Sequence, residues 1–83
     1  MQNYHIIEVV YIPPTATLPE RIKIHSPRFK EGFYINYNDY EHDHTLNIAI
    51  KDLKLKGFEI IGYGQRSHGW NIISTTFKPF KQS

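Results

Sequence analysis

Residues 45–57 read TLNIAIKDLKLKG, and this stretch decides the fold class. Its apolar residues recur at i, i+3, i+4 and i+7, the pattern of an amphipathic helix with one buried face. The stripe consists of Leu46, Ala49, Ile50 and Leu53. Before it, NDYE at residues 38–41 has the spacing of a capping box, and Asp43 is a second candidate cap. Gly57 suits the left-handed residue that ends a helix, so the sequence predicts a helix from Thr45 that ends before Gly57.

Strand patterns lie on both sides of this helix. Residues 4–12 (YHIIEVVYI) are rich in β-branched and aromatic side chains, and residues 20–25 (ERIKIH) and 33–37 (FYINY) alternate between apolar and polar ones. Residues 58–64 and 70–77 predict two further strands, joined by a hairpin turn at residues 66–69. The order β-β-β-α-β-β with short connections favours an α+β fold in two layers, a mainly antiparallel five-stranded sheet with one helix on one face. We expect residues 1–83 to form a single α+β domain.

The alternation within residues 20–37 assigns side chains to the two faces of this sheet. The apolar side chains at positions 22, 24, 33, 35 and 37 would face the helix. The opposite face would carry Arg21, Lys23, His25, Tyr34 and Asn36. Because one helix covers only one side of a sheet, the opposite face is either wet or covered by a partner. We expect the function to lie there.

Composition excludes several classes of protein. The chain has 83 residues, of which 40% are hydrophobic and 22% charged, as is typical of a small globular domain. It has no cysteine, which excludes disulfides, thiolate metal sites, iron–sulfur clusters and cysteine nucleophiles. No apolar run reaches the roughly 18 residues that a membrane-spanning helix needs, and the N-terminal residues lack a signal-peptide pattern. We therefore expect a cytoplasmic protein without a membrane partner.

Residues that could support catalysis or bind a metal are present but poorly spaced. His42 and His44 flank Asp43, yet positions i and i+2 point to different sides of a helix, so we interpret them as part of a polar helix N-terminus. Ser67 and His68 are adjacent in a turn, where water is hard to exclude and a base rarely reaches its neighbour's hydroxyl. Helix capping explains the three carboxylates that precede the helix. The sequence therefore predicts no catalytic residue, no metal site, no cofactor and no enzyme.

A run of basic residues is the clearest functional signal. The net charge of +2 is mild, but residues 21–30 carry four cationic side chains, one histidine and no acidic residue. Basic residues bind phosphate backbones, and aromatic side chains displayed among them stack exposed bases, although an ordinary soluble surface can carry the same charges. The candidate nucleic-acid-binding residues are Arg21, Lys23, His25, Arg28, Lys30 and Tyr34. We expect Trp70, Tyr63 and Phe77 to belong to the core instead.

Five segments spread over most of the chain carry a resemblance to a known group of proteins. They are YIPPT at residues 11–15, RIKI at 21–24, SPRFK at 26–30, INY at 35–37 and KGFEIIGYG at 56–64. Together they resemble small accessory proteins of bacterial plasmids, phages and chromosomal islands. Relatives often have Tyr-Asp-Tyr where this chain has YNDY at residues 37–40. Because the group has no assigned activity, the resemblance implies a setting in DNA replication, transfer or defence on mobile elements, and it transfers no functional residue.

Two functions remain open at this point. The first is a non-enzymatic module that binds nucleic acid through the open sheet face and residues 21–30. The second is a protein-interaction module that acts as a subunit of a complex, as an inhibitor of a host enzyme or as a homodimer. It would use the same face, with anchors from Tyr4, Ile7, Tyr11 and Trp70.

Overall fold

A computed structural model describes residues 4–36 and 44–80, which contain five strands and one helix. Their bounds in chain order are β1 (His5–Ile12), β2 (Arg21–Ser26), β3 (Glu31–Asn36), α1 (Thr45–Leu55), β4 (Ile60–Arg66) and β5 (Gly69–Ser74). The predicted order of elements and the helix start at Thr45 are confirmed. Residues 75–77, which the sequence assigned to the last strand, follow the end of β5. Tyr37, the segment 38–41 and Asp43 lie outside the described residues.

The five strands form one antiparallel sheet in the order β3-β2-β1-β5-β4. Strand β1 therefore lies in the middle of the sheet, with β2 on one side and β5 on the other. Its composition suits this place, because HIIEVVYI carries apolar side chains on both faces and no Gly or Pro. Strands β3 and β4 form the two edges, and β4 contains a bulge between Ile60 and Gly62.

The core lies between α1 and one face of the sheet. The sheet contributes fully buried residues from three strands, which are Ile7, Val9, Ile22, Ile24 and Ile72. The helix contributes three residues of its apolar stripe and one flanking residue, which are Leu46, Ala49, Leu53 and Ile48, and the fourth stripe residue, Ile50, is partly buried against them. Strands β2 and β3 place their apolar residues side by side on this face, since Ile22 is the partner of Ile35 and Ile24 the partner of Phe33. Burial of each large aliphatic side chain contributes about 1.5–3 kcal/mol, so this one-sided core is the main source of stability.

Both ends of α1 are fixed by specific contacts. His44 is the N-cap residue, and its Nδ1 accepts a hydrogen bond from the Leu46 backbone N–H at 3.2 Å. Gly57 has a φ of +92°, which confirms the left-handed residue predicted at the helix end. Lys56 Nζ lies 2.8 Å from the Asp52 carboxylate one turn earlier. The helix packs on one face of the sheet, against β1 and β2. The opposite face of the sheet is called the open face.

Candidate functional site

The open face brings four of the six candidate residues together. Arg21, Lys23 and His25 alternate along β2 with fully buried residues, so all three side chains point away from the helix. Lys23 is the direct cross-strand partner of Tyr34 on β3. Tyr34 is 57% exposed, which leaves its ring available to a ligand. These four residues are called the basic corner.

Arg21 has the most unusual surroundings in the basic corner. Its Cζ atom lies 5.2 Å from the centre of the Tyr34 ring, a distance typical of a cation–π contact. Its Nη1 atom is buried and has no hydrogen-bond partner in the described part of the chain. A buried N–H group without an acceptor costs free energy, and a rotation of the side chain that brings Nη1 to a phosphate or base oxygen at the surface would remove that cost. Among the described residues, Arg21 is therefore a donor without an acceptor.

The structure separates Arg28 and Lys30 from the basic corner. Both lie in the turn between β2 and β3, where Lys30 takes a left-handed conformation with a φ of 53°. The Arg28 guanidinium lies 5.0 Å from the centre of the Phe77 ring, which in turn contacts the ring of the buried His5. These two candidate residues therefore lie outside the basic corner, because they belong to the turn and not to the strands.

The open face carries two further charged residues, Glu8 and Arg66, that the sequence pattern did not indicate. Glu8 on β1 pairs directly with His25 on β2, and its Oε1 lies 3.3 Å from His25 Nδ1. Its other oxygen, Oε2, lies 2.9 Å from Nη1 of Arg66 on β4. Burial would raise the pKa of Glu8, but the hydrogen bonds from His25 and Arg66 outweigh burial and lower the pKa below its ordinary value. The carboxylate is therefore ionised at neutral pH.

An apolar strip flanks Glu8 on the open face. Ile6 on β1 is 41% exposed and lies directly opposite Ile73 on β5, and Val10 lies on the same face of β1 on the other side of Glu8. The neighbouring part of β4 is nearly bare, because the open-face positions there are Gly62 and Gly64. A Cβ at Gly64 would meet no atom within 4 Å, so packing within the described residues does not require glycine there. The open face thus combines a basic corner with apolar side chains on both sides of Glu8.

Several aromatic and apolar residues lie elsewhere than predicted. Ile7 is fully buried under α1, so it cannot anchor a partner on the open face. Tyr11 lies on the same side of β1 as Ile7, and Trp70 packs against the core as predicted. Tyr63 is 62% exposed, which makes its assignment to the core wrong: it lies on the edge strand β4, whereas α1 packs on β1 and β2. Phe77 is also partly exposed, at 41%.

The core contains a histidine–serine hydrogen bond that joins residues far apart in the sequence. His5 Nε2 lies 2.6 Å from Ser26 Oγ, and His5 Nδ1 lies 3.1 Å from the Thr76 carbonyl oxygen. Because a carbonyl only accepts, Nδ1 donates to Thr76 and the Ser26 hydroxyl donates to Nε2. A base and a hydroxyl oriented in this way resemble the nucleophile pair of a hydrolase. Both side chains are fully buried, however, so the pair serves to connect β1, β2 and the C-terminal segment.

Phenylalanine rings surround His5. The ring centres of Phe29, Phe58, Phe77 and Phe80 lie 5.2 to 6.0 Å from the centre of the imidazole. Burial lowers the pKa of His5, and the Thr76 carbonyl and the charge of Glu31 offset this effect only in part. His5 is therefore held in its neutral form.

The remaining candidate residues for catalysis or metal binding do not converge. Ser67 and His68 are exposed in the turn between β4 and β5. His44 caps the helix, whereas His42 lies outside the described residues. Residues 4–36 and 44–80 contain no group of three or more His, Cys, Asp or Glu residues that could hold a metal ion. Within the same ranges, no helix is both long enough and apolar enough to cross a membrane.

Comparison with known proteins yields no match to a family model, to a curated protein or to a solved structure. The resemblance to accessory proteins of mobile elements therefore stays a prediction. The functional conclusion depends on the open face itself.

Proposed function

We propose that this chain is a small non-enzymatic module that binds single-stranded nucleic acid through the basic corner of its open face. The observation that carries the proposal is the guanidinium of Arg21, whose Cζ lies 5.2 Å from the centre of the exposed Tyr34 ring, with Lys23 as the direct cross-strand neighbour of that ring. Phosphate and base oxygens are the acceptors that such a group binds best. As the sequence suggests, the module would act in the cytoplasm and serve replication, transfer or defence on a mobile element.

The charges and the aromatic ring of the basic corner favour a single strand over a duplex as the ligand. Sheet faces that bind single strands place aromatic rings where unstacked bases can lie on them, with cations nearby for the backbone. Tyr34 is exposed and has Lys23 as its direct neighbour on β2. The strand residues of the open face include three cations and one carboxylate, a formal charge of +2 with histidine neutral. This charge favours a polyanionic ligand.

Fluorescence anisotropy with a short, mixed-sequence, dye-labelled DNA single strand tests the proposal. Loss of both cations in the R21A/K23A variant should weaken binding and flatten the slope of log Kd against log salt concentration by about 1.4, since each single-strand phosphate contact contributes about 0.7. The matched control is K51A/K54A, which removes the same charge from α1 on the other side of the sheet. Substitution Tyr34→Ala should cost about 1–3 kcal/mol for the loss of one stacked base.

Equal affinities for R21A/K23A and K51A/K54A would contradict the basic corner as the binding surface. Tighter binding of a duplex than of a single strand with the same sequence would contradict base stacking on Tyr34.

The apolar strip supports a second candidate function, a protein-binding face. Ile6 and Ile73 pair across the middle of the sheet, and Ile6 is 41% exposed. Exposed apolar surface beside charged groups is typical of protein interfaces. In a homodimer through this face, the substitution Ile6→Asp would place a buried charge at the interface and produce a monomer in light scattering. A wild-type protein that is monomeric at all concentrations would contradict the homodimer.

A further inference from the structure

Glu8 lies at the centre of the open face and is bound from both sides. It belongs to the middle strand, and its direct cross-strand partners are His25 on β2 and Asn71 on β5. One carboxylate oxygen contacts His25 at 3.3 Å and the other contacts Arg66 at 2.9 Å. Strand β5 lies between β1 and β4, so the Arg66 side chain must cross β5 to reach Glu8. Gly69, the direct partner of Arg66, has no side chain to obstruct that crossing.

This ion pair is accessible to a ligand. The side chains of Arg66 and Glu8 are 37% and 32% exposed, and ion pairs with such exposure contribute little to folding. Glu8 is also the one carboxylate among the open-face strand residues that the structure describes. It cancels one of the three cationic charges on a face that otherwise suits a polyanion.

We propose that Glu8 is an internal competitor of the nucleic acid, because its carboxylate occupies the position between Arg66 and His25 that a phosphate of the bound strand would take. This inference rests on the function proposed above. Carboxylate and phosphate groups both accept paired hydrogen bonds from a guanidinium, so one can replace the other. The lowered pKa of Glu8 agrees with this role, since the competitor keeps its charge at neutral pH. Arg66 is thereby withheld from the ligand, and the affinity of the face is set below what its cations allow.

Substitution Glu8→Gln tests this role, because glutamine keeps the shape of the side chain and removes its charge. We expect E8Q to bind the labelled DNA single strand about three- to tenfold more tightly than the wild type, with a salt slope steeper by about 0.7 because one more phosphate is contacted. The matched control is E20Q, which removes a carboxylate that accepts a hydrogen bond from the Tyr11 hydroxyl outside the open face. E20Q should leave the slope unchanged.

Arg66 provides the second half of the test. The substitution Arg66→Ala should weaken the wild-type affinity, since the Glu8 carboxylate then repels the strand without the Arg66 cation beside it, and it should abolish the gain in the E8Q background. If E8Q unfolds, Glu8→Thr supplies an uncharged residue that is well suited to a strand, and the Trp70 fluorescence transition shows which variant is folded.

The outcomes separate this inference from the function beneath it. A tightened E8Q that depends on Arg66 supports the internal competitor. If R21A/K23A weakens binding but E8Q binds no more tightly than E20Q, the internal competitor is wrong and the proposed function stands. If the wild type shows no salt-dependent binding of the single strand, both are wrong.

Discussion

Acidification should destabilise this protein through His5, and the sign follows from its burial. The folded state keeps His5 neutral, because burial lowers its pKa below the ordinary 6.5. The unfolded chain takes up a proton on this residue near that pH. Below pH 6.5 the unfolded state therefore binds more protons than the folded state, and stability falls as the pH falls. Above pH 6.5 His5 is neutral in both states, so the stability that depends on its neutral form is fully present.

The size of this pH effect on the free energy of unfolding follows from the single proton that His5 binds. A difference of one bound proton gives a slope of at most about 1.4 kcal/mol per pH unit, and the slope levels off once the folded state is also protonated. Charged groups lie around the phenylalanine rings. Glu31 raises the pKa of His5 and so favours a protonated imidazole. The guanidinium of Arg28 and the ammonium of Lys78 lie over the surrounding rings, 5.0 and 5.2 Å from the centres of Phe77 and Phe58. For a domain of this size, with a core that supplies only about 3–5 kcal/mol, such a loss removes much of the stability.

Urea denaturation followed by the fluorescence of Trp70, the single tryptophan, measures this loss. The variant is His5→Gln, which keeps polar atoms beside Ser26 and Thr76 but cannot titrate. The control is His68→Gln, which removes an exposed histidine from a turn. The range should stay above about pH 5, because the lowered pKa of Glu8 makes its own contribution disappear only as the pH falls below 4.5.

Wild type and H68Q should lose stability in parallel between about pH 6.5 and 5, while H5Q, less stable at neutral pH, should show a flatter dependence. If H5Q has the same pH slope as the wild type, His5 is not the group that titrates, and the reasoning from its burial is refuted.

Two further predictions concern the core and the sheet, each measured by the same denaturation assay at neutral pH. Leu53→Ala should lower the free energy of unfolding by about 2–5 kcal/mol, because Leu53 is fully buried. Leu55→Ala, at a position that is 82% exposed, should change it by less than about 0.5 kcal/mol. Similar losses for both variants would contradict the assigned helix face. Gly69→Ala should lower the free energy of unfolding by on the order of 1–3 kcal/mol, because the added Cβ would lie 2.0 Å from the Val9 carbonyl oxygen. Gly64→Ala, where the Cβ would meet no atom within 4 Å, should be neutral or slightly stabilising. Equal effects would contradict the close approach of β5 to β1.

The elements of the fold were predictable because their signals are local. The helix stripe, Gly57 and the alternation of ERIKIH each depend on residues within a few positions of one another. The order of strands was not predictable, since the pairing of β1 with β5 joins residues more than 60 positions apart. Strand ends shifted by a few residues where turn geometry rather than composition decides them, as at Glu31 and Gly32, which belong to β3.

The candidate site was predictable only where alternation was clear. Arg21 and Lys23 alternate with isoleucines, so their face followed from the sequence. Glu8 lies in a strand that is apolar on both faces, so the pattern did not indicate which face its side chain occupies, and its contact with Arg66 on β4 crosses β5. Arg28 was grouped with Arg21 and Lys23 because charge was counted along the chain, whereas the structure places Arg28 in a turn and the other two on β2. The contact between His5 and Ser26 had no signal at all, since the two residues are 21 positions apart.

Strand β1 joins two halves of the sheet that become available at different times. The pairing of β1 with β2, and of β2 with β3, needs only the first 36 residues, whereas the other side of β1 waits for β5, which ends at Ser74. Closing so long a segment costs chain entropy before any contact compensates for it. During synthesis, β1 must therefore keep one row of backbone amides and carbonyls unpaired until β5 has left the ribosome, and the growing chain is most prone to wrong strand pairing in that interval.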